Sequence, residues 1–371
     1  MSISKEQIIS GTIIYGDELE VIEGYLCIKD GIIKEIGTEK RVDATSTGLI
    51  APCFVNAHTH IGDSVLKDPH ISDLDSLVKP PMGLKHRVLK STSDDDLKHA
   101  IHQTLTDMIR TGSCMFCDFR EGGFHGAILL KEILDACEDI SGMVLGRVKK
   151  SDKPQPGEMD ELLKVCNGIG ISGANDISYR VLIAAVEAAR KADKMFSIHG
   201  GEKDSSDITA AIELEPDFIV HMTHAGSADM RALSNADIPV VVCPRSNFVT
   251  GVGSPAHPPI HKMLNMNITV AVGTDNVMFN SVNMFAEMEF LSKVYRLDDR
   301  QVFKMCTLNG ARILGLDQNI GSIREKKQAR IMVLDDKSSN LSNSSNLLAS
   351  FVRRSRPDDI KTLMGVRRKI P

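Results

Sequence analysis

Apolar positions along the chain fall into two regimes. Over the first fifty residues they come in short β-branched runs: Gly11-Thr-Ile-Ile-Tyr15, Tyr25-Leu-Cys-Ile-Lys29 and Ile32-Ile-Lys-Glu-Ile36. Asp30-Gly31, between the last two, is a hairpin signal. From Leu49 to about Leu314 apolar strands alternate with helical stretches. The predicted strands are Ile50 to Ala57, Ser113 to Arg120, Gly142 to Lys149, Gly168 to Gly173, Lys194 to His199, Asp217 to Met222, Ile238 to Cys243 and Ile268 to Gly273. Most of their starts recur at the spacing of one strand-plus-helix unit.

Helical periodicity fills the gaps. Leu97, Ala100, Ile101, Leu105, Met108 and Ile109 keep a 3.6-residue period, with Ser93 as N-cap and Gly112 as stop. Ile128 to Cys137, Met159 to Cys166, Tyr179 to Ala192 and Val282 to Tyr295 behave alike. Eight parallel strands with intervening helices fit an α/β fold of the (β/α)8, TIM-like kind; an open doubly wound sheet is the alternative. The gap after the first strand is too long for one helix, and His60 to Ser93 is an insertion where a lid or substrate loop would sit. Beyond Gly315 come the strand-like Ala329 to Leu334, a Ser/Asn-rich stretch from Ser338 to Ser345 that reads as a mobile loop, and the basic cluster Arg367-Arg-Lys, read as a solvated end.

Composition narrows the function. Of 371 residues, 44 are basic and 49 acidic, so no basic excess exists to hold a phosphate backbone, and nucleic acid is not the expected partner. Trp is absent and aromatics are 4%, which removes stacking platforms for single strands. Apolar stretches are too short to span a bilayer, and the first ten residues lack the features of a signal peptide, so no membrane role and a cytoplasmic location are expected. Eight scattered cysteines, several in strand-like runs, read as reduced, packed thiols; the lone Cys114-x-x-Cys117 would point its side chains to opposite faces of a strand.

The chemistry gathers at strand ends. Val55-Asn-Ala-His58-Thr-His60 closes the first barrel strand, and histidines at i and i+2 of an extended segment point the same way. Alone, such a pair is often two surface residues. The fifth strand ends in His199, followed by Gly-Gly-Glu202; the sixth carries His221 and His224; the eighth runs into Asp275. Polar residues at the carboxyl ends of separate barrel strands converge on one mouth. Imidazoles with a carboxylate make a site suited to zinc(II) or iron(II) with room for a water.

On these residues the chain resembles the amidohydrolase superfamily, within it the mononuclear metal-dependent aminohydrolases related to guanine, cytosine and S-adenosylhomocysteine deaminases and to the triazine hydrolases. The resemblance rests on Ala51-Pro-Cys-Phe-Val-Asn-Ala-His58-Thr-His60, His199-x-x-Glu202 and Gly273-Thr-Asp275, and covers essentially the whole chain. It implies one divalent metal ion, zinc or iron, held by His58, His60, His199 and Asp275. It also implies that Glu202 is the proton shuttle, that His221 rather than His224 polarises the reacting group, and that Asp275 shares in proton transfer. The fold it implies is a barrel over 51–317 beside a small β-sandwich made from 1–50 and 318–371, in a homodimer or homotetramer. The tail departs from the family in reading Lys326-Lys-Gln-Ala-Arg330 where Gly-Lys-x-Ala-Asp is usual.

Absent motifs narrow the reading further. The fourth strand runs Gly168-Ile-Gly-Ile-Ser172-Gly-Ala-Asn175 without the lysine that a binuclear amidohydrolase carbamylates, and Lys149 and Lys150 read as solvated charges. Neither the H-x-E with P-C-x-x-C deaminase pattern nor a nucleotide-binding glycine loop follows a strand. Arg120, Arg147, Ser246 and Asn247 are the candidate substrate contacts, with His257 and His261 behind them; an arginine at the mouth suits a carboxylate or phosphate. The expected activity is hydrolytic deamination of a small-molecule nitrogen heterocycle (purine-, pyrimidine-, nucleoside-, triazine- or pterin-like) by a metal-activated water. Lactam opening of the imidazolonepropionase type is the alternative, and a non-catalytic binding barrel the remote one.

Overall fold

The computed structural model describes residues 6–39, 41–70, 76–77, 82–149 and 152–364. Lys150 and the Arg367 cluster lie outside them, as do 71–75 and 78–81 of the insertion. The two chain ends meet in one six-stranded sheet. In it β1 (Gln7–Tyr15), β2 (Glu20–Lys29), β3 (Ile32–Gly37) and β4 (Ser46–Pro52) join two late strands, Ile331–Leu334 and Ile360–Met364. Asp30 and Gly31 both have positive φ, 54° and 72°, as the tight β2–β3 turn requires. Ile9, Ile13, Leu26, Ile33, Ile50 and Val333 form this sheet's own apolar core.

The barrel follows directly. Its strands are β5 (Phe54–His60), β6 (Ser113–Arg120), β7 (Ser141–Gly146), β8 (Gly168–Ile171), β9 (Met195–Gly200), β10 (Phe218–His221), β11 (Val240–Val242), β12 (Val270–Val272) and β13 (Asp275–Asn276). All are parallel to their neighbours. Their residues are almost wholly buried, as strands covered by helices outside and side chains inside must be. Val270–Val272 pairs with β11 while Asp275–Asn276, three residues on, pairs with β5, so one run of chain joins both edges and closes the sheet. The open-sheet alternative falls with that closure.

Two expectations need correction. The run Ile50 to Ala57 is not one strand. It breaks at Cys53, where Pro52 brings no N–H and the Cys53 N–H donates to the Arg330 carbonyl at 2.9 Å; β4 serves the terminal sheet and β5 the barrel. The Ser/Asn-rich stretch from Ser338 to Ser345 is hydrogen-bonded turn rather than loose loop. Asn340 Nδ2 donates to Asp359 at 2.9 Å, Ser344 and Ser350 share a hydroxyl contact at 2.6 Å, and Asn346 caps a helix, Leu347–Arg354, that the periodicity did not reveal.

That helix completes an aromatic stack beneath the first barrel strand. Phe351 meets Phe303 edge-on at 4.9 Å, and Phe54 at the root of β5 meets Phe285 at 4.9 Å and Phe303 at 6.2 Å. Phe54 is wholly buried. Phe54→Ala therefore removes a ring with no means of local collapse, and a loss of about 3–5 kcal/mol in urea unfolding is expected. A loss below about 1 kcal/mol would contradict this packing.

Candidate active site

The carboxyl ends of the barrel strands open into a cavity of about 270 Å³ whose walls include His60, His199, Glu202, His221, Ser246 and Asp275. The alternation on β5 does what an extended strand requires: His58 and His60 face inward, while Thr59 turns back to bond the Cys117 carbonyl and Asp118. The rings of His58 and His60 lie 4.8 Å apart. His58 Nε2 stands 3.2 Å from Asp275 Oδ1 and 3.2 Å from His199 Nε2, and His60 Nε2 is 3.4 Å from His199 Nε2. Ligand atoms of His58, His60, His199 and Asp275 all lie within 4.8 Å of one another.

Hydrogen bonding fixes which nitrogens carry protons. His199 Nδ1 donates to the Ile171 carbonyl at 2.7 Å. His60 Nδ1 faces only acceptors, the Phe119 carbonyl at 3.1 Å and Glu121 Oε1 at 2.9 Å. Burial and Lys85 oppose charge on His60, but Glu121 and Asp275 outweigh them and raise its imidazole above the ordinary value. Once both rings are neutral, their Nε2 atoms are lone-pair acceptors turned toward each other. A cation between them resolves that conflict. A tetrahedral zinc with bonds of about 2.0–2.1 Å would set its ligand nitrogens roughly 3.3 Å apart, which matches the spacing found. Burial first, with the surrounding imidazoles, keeps His199 neutral well below the usual histidine range and holds His58 down to about 3. Burial opposes charge on Asp275, but the His58 contact and the facing imidazoles overcome it and hold Asp275 well below the usual carboxylate range.

Beside this cluster, His221 Nε2 stands 3.5 Å from Glu202 Oε2. Thr223 Oγ1 donates to Asn247 Oδ1 at 3.3 Å, which turns Asn247 Nδ2 toward His221 Nδ1 at 3.2 Å. The proton of His221 then sits on Nε2, facing the cavity. Burial raises the Glu202 carboxyl above its ordinary value, and the neighbouring His221 only partly offsets it. His221 and Asp275 both have positive φ, 78° and 58°, strain of the kind that gathers where a strand end must aim a side chain.

A model of the amidohydrolase family matches residues 49–365. The chain belongs to the amidohydrolase family. An uncharacterized protein of Methanocaldococcus jannaschii is 38% identical over 94% of each chain. A 5-methylthioadenosine/S-adenosylhomocysteine deaminase of Thermoanaerobacter pseudethanolicus is 25% identical over 90% of this chain and 84% of its own. Among solved structures, a zinc-bound adenosine deaminase of Xanthomonas campestris superposes with a TM-score of 0.81 at 17% identity, covering 97% of this chain and 92% of that one. This amidohydrolase is thus a hydrolase of carbon–nitrogen bonds other than peptide bonds, with the metal-binding His/His/His/Asp cluster of its family.

The expected substrate contacts divide. Arg147 lines the cavity and pairs with Glu121 at 3.0 Å; Ser246 lines it too, its hydroxyl donating to Asp275 Oδ2 at 2.5 Å. Arg120 and Asn247 do not reach the cavity wall. The Arg120 side chain is buried behind it, with Nε on the Gly126 carbonyl and the guanidinium pressed over Gly62, and Asn247 sits behind His221. His224 stacks on His257 at 5.8 Å, outside the histidine cluster, and His261 bonds the Tyr295 carbonyl. No lysine follows β8, where Ser172 and Gly173 line the cavity, and Lys149 is exposed. The structure also brings to the site three residues to which sequence reading assigned no role: Lys85 and Asp63, from the insertion, and Glu121. Only Glu121, next to Arg120 at a strand end, carried a positional signal.

Arg245, beside Ser246, reaches the fully buried Glu287 at 3.4 Å. Burial pushes the Glu287 carboxyl up to about 7, with Arg245 pulling the other way. The unfolded chain releases this proton near pH 4.3, so the group's share of stability is present below that pH and is lost as pH rises toward 7. Glu287→Gln cannot titrate there. Its stability relative to the native sequence should rise on the order of 3 kcal/mol between pH 4.5 and 7.5 in urea unfolding. A difference that stays flat across that range would rule out the raised carboxyl.

Proposed function

We propose that the protein is a mononuclear metal-dependent deaminase of a nitrogen heterocycle. The observation that carries this reading is the convergence of His58, His60, His199 and Asp275, with the Nε2 atoms of His60 and His199 facing each other at 3.4 Å, next to the Glu202–His221 pair at 3.5 Å. A cation-binding cluster and a proton-transfer pair thus share one cavity. The deaminase names of its relatives support the same reaction class.

His58, His60, His199 and Asp275 would hold the ion, zinc being the species that the donor set and spacing suit best. The ion supplies Lewis acidity and brings the pKa of a water near 7. Glu202, its carboxyl partly exposed to the cavity, accepts a proton from the attacking water and delivers it to a ring nitrogen. His221 presents Nε2–H to the oxygen on which negative charge develops, an orientation that Asn247 imposes from behind. Asp275 is steadied by Ser246 and passes the second water proton to the amino group, so that ammonia leaves and a carbonyl remains.

Protein loaded with zinc should release ammonia from at least one of the purines, pyrimidines, nucleosides, triazines or pterins, and chelation should abolish that release. Glu202→Gln should keep the metal and lose about 100-fold or more in turnover. Ammonia release that survives chelation, or wild-type turnover in Glu202→Gln, would overturn the reading.

A further inference from the structure

Beside the His60 Nδ1 edge, at a wall of the cavity that Lys85 and Arg147 help to line, four charged side chains from four different segments meet. Glu121 follows β6 and is 5% exposed; Lys85 belongs to the helix Leu84–Ser91 within the insertion and is 2% exposed. Lys85 Nζ lies 2.6 Å from Glu121 Oε1 and 2.8 Å from Asp63 Oδ2, in the turn after β5. The same oxygen, Glu121 Oε1, is 2.9 Å from His60 Nδ1 and 3.0 Å from Arg147 NH1. One carboxylate oxygen therefore receives an imidazole, an ammonium and a guanidinium.

Such an arrangement has an electrostatic logic. A carboxylate cannot stay ionised in a buried site without compensating charge, and an ammonium stripped of water is equally costly alone. Lys85 is brought inward on an element that is neither a barrel strand nor a barrel helix, so nothing about barrel packing demands its burial. Its partners are the carboxylate that holds His60 and the carboxylate in the turn that leads out of His60.

We propose that Glu121 is a positioning residue for His60, and that Lys85 holds Glu121 in place, so that docking of the insertion helix and the aim of the His60 imidazole are a single unit. The inference rests on the metal reading given above. With Nδ1–H clamped by a carboxylate as well as by the Phe119 carbonyl, the ring cannot rotate and its Nε2 becomes a better donor to a cation. The insertion then contributes to the metal site without supplying a ligand.

The test is zinc affinity, measured by competition with a chromophoric chelator, alongside the thermal midpoint of each apoprotein. Glu121→Gln and Lys85→Met should each weaken zinc binding about 10–100-fold, the range for loss of a group that orients a ligand. Lys85→Arg should recover part of the loss. The double variant should lose little more than the worse single one, because the two act through one contact. Folded Glu121→Gln and Lys85→Met proteins that bind zinc as tightly as the native sequence would overturn the proposal, whatever their thermal midpoints. Should Lys85→Met not fold, Glu121→Asp serves instead: it keeps the charge but withdraws the oxygen, and native zinc affinity in it would be equally decisive. A native protein that binds no zinc is a different result, overturning the metal reading itself.

Discussion

Closure of the barrel at Gly273 is the contact on which the site depends. A Cβ at that position would lie 2.6 Å from His58 Cβ and 2.7 Å from the His58 carbonyl oxygen, so the returning chain presses directly on the backbone of the first strand. Asn56 fastens the same crossing, its amide donating to the Thr274 hydroxyl at 2.7 Å and accepting the Thr274 N–H at 3.0 Å. Two residues later Asp275 turns through a positive φ and meets His58. A wider seam would leave the carboxylate on one side of the mouth and the histidines on the other.

From that seam the polar groups are arranged in supporting layers. Ser246 and Asn247 are neighbours on the short helix Pro244–Val249 and hold different partners: Ser246 steadies Asp275, Asn247 sets the tautomer of His221. Both groups named first by the sequence as substrate contacts are thus engaged with the protein. Preorganisation of this kind keeps reacting groups from reorienting as charge develops. Strain at His221 and Asp275 is maintained by the surrounding bonds rather than relieved by them.

Much of this was legible in the sequence, for identifiable reasons. Strand ends bearing His58, His60, His199, His221 and Asp275 stood out because each interrupts an apolar run with a polar residue, and a parallel barrel sends all such ends to one face. The β4–β5 break did not stand out, since Ile50 to Ala57 is apolar throughout but for one asparagine and hydrophobicity does not record which sheet a strand joins. Lys85 was hidden for the opposite reason. A lysine in a polar insertion reads as solvated, and only its three-dimensional meeting with Asp63 and Glu121 makes it buried. Arg120 misled because strand register alone does not say whether a long side chain at the mouth turns inward or folds back against Gly62.

The break at Cys53 has a consequence for how the chain is made. β4 is flanked by β1, synthesised before it, and by Ile331–Leu334, synthesised after every barrel strand. Until that late strand leaves the ribosome, β4 has one unpaired edge and Cys53 lacks the Arg330 carbonyl that pins the root of β5. The histidine-bearing strand is therefore anchored at its base only after all the other barrel strands have been translated. A nascent chain halted before residue 330 would hold all four of the ligand-bearing and proton-transfer strands yet still lack the fastening that sets their first member.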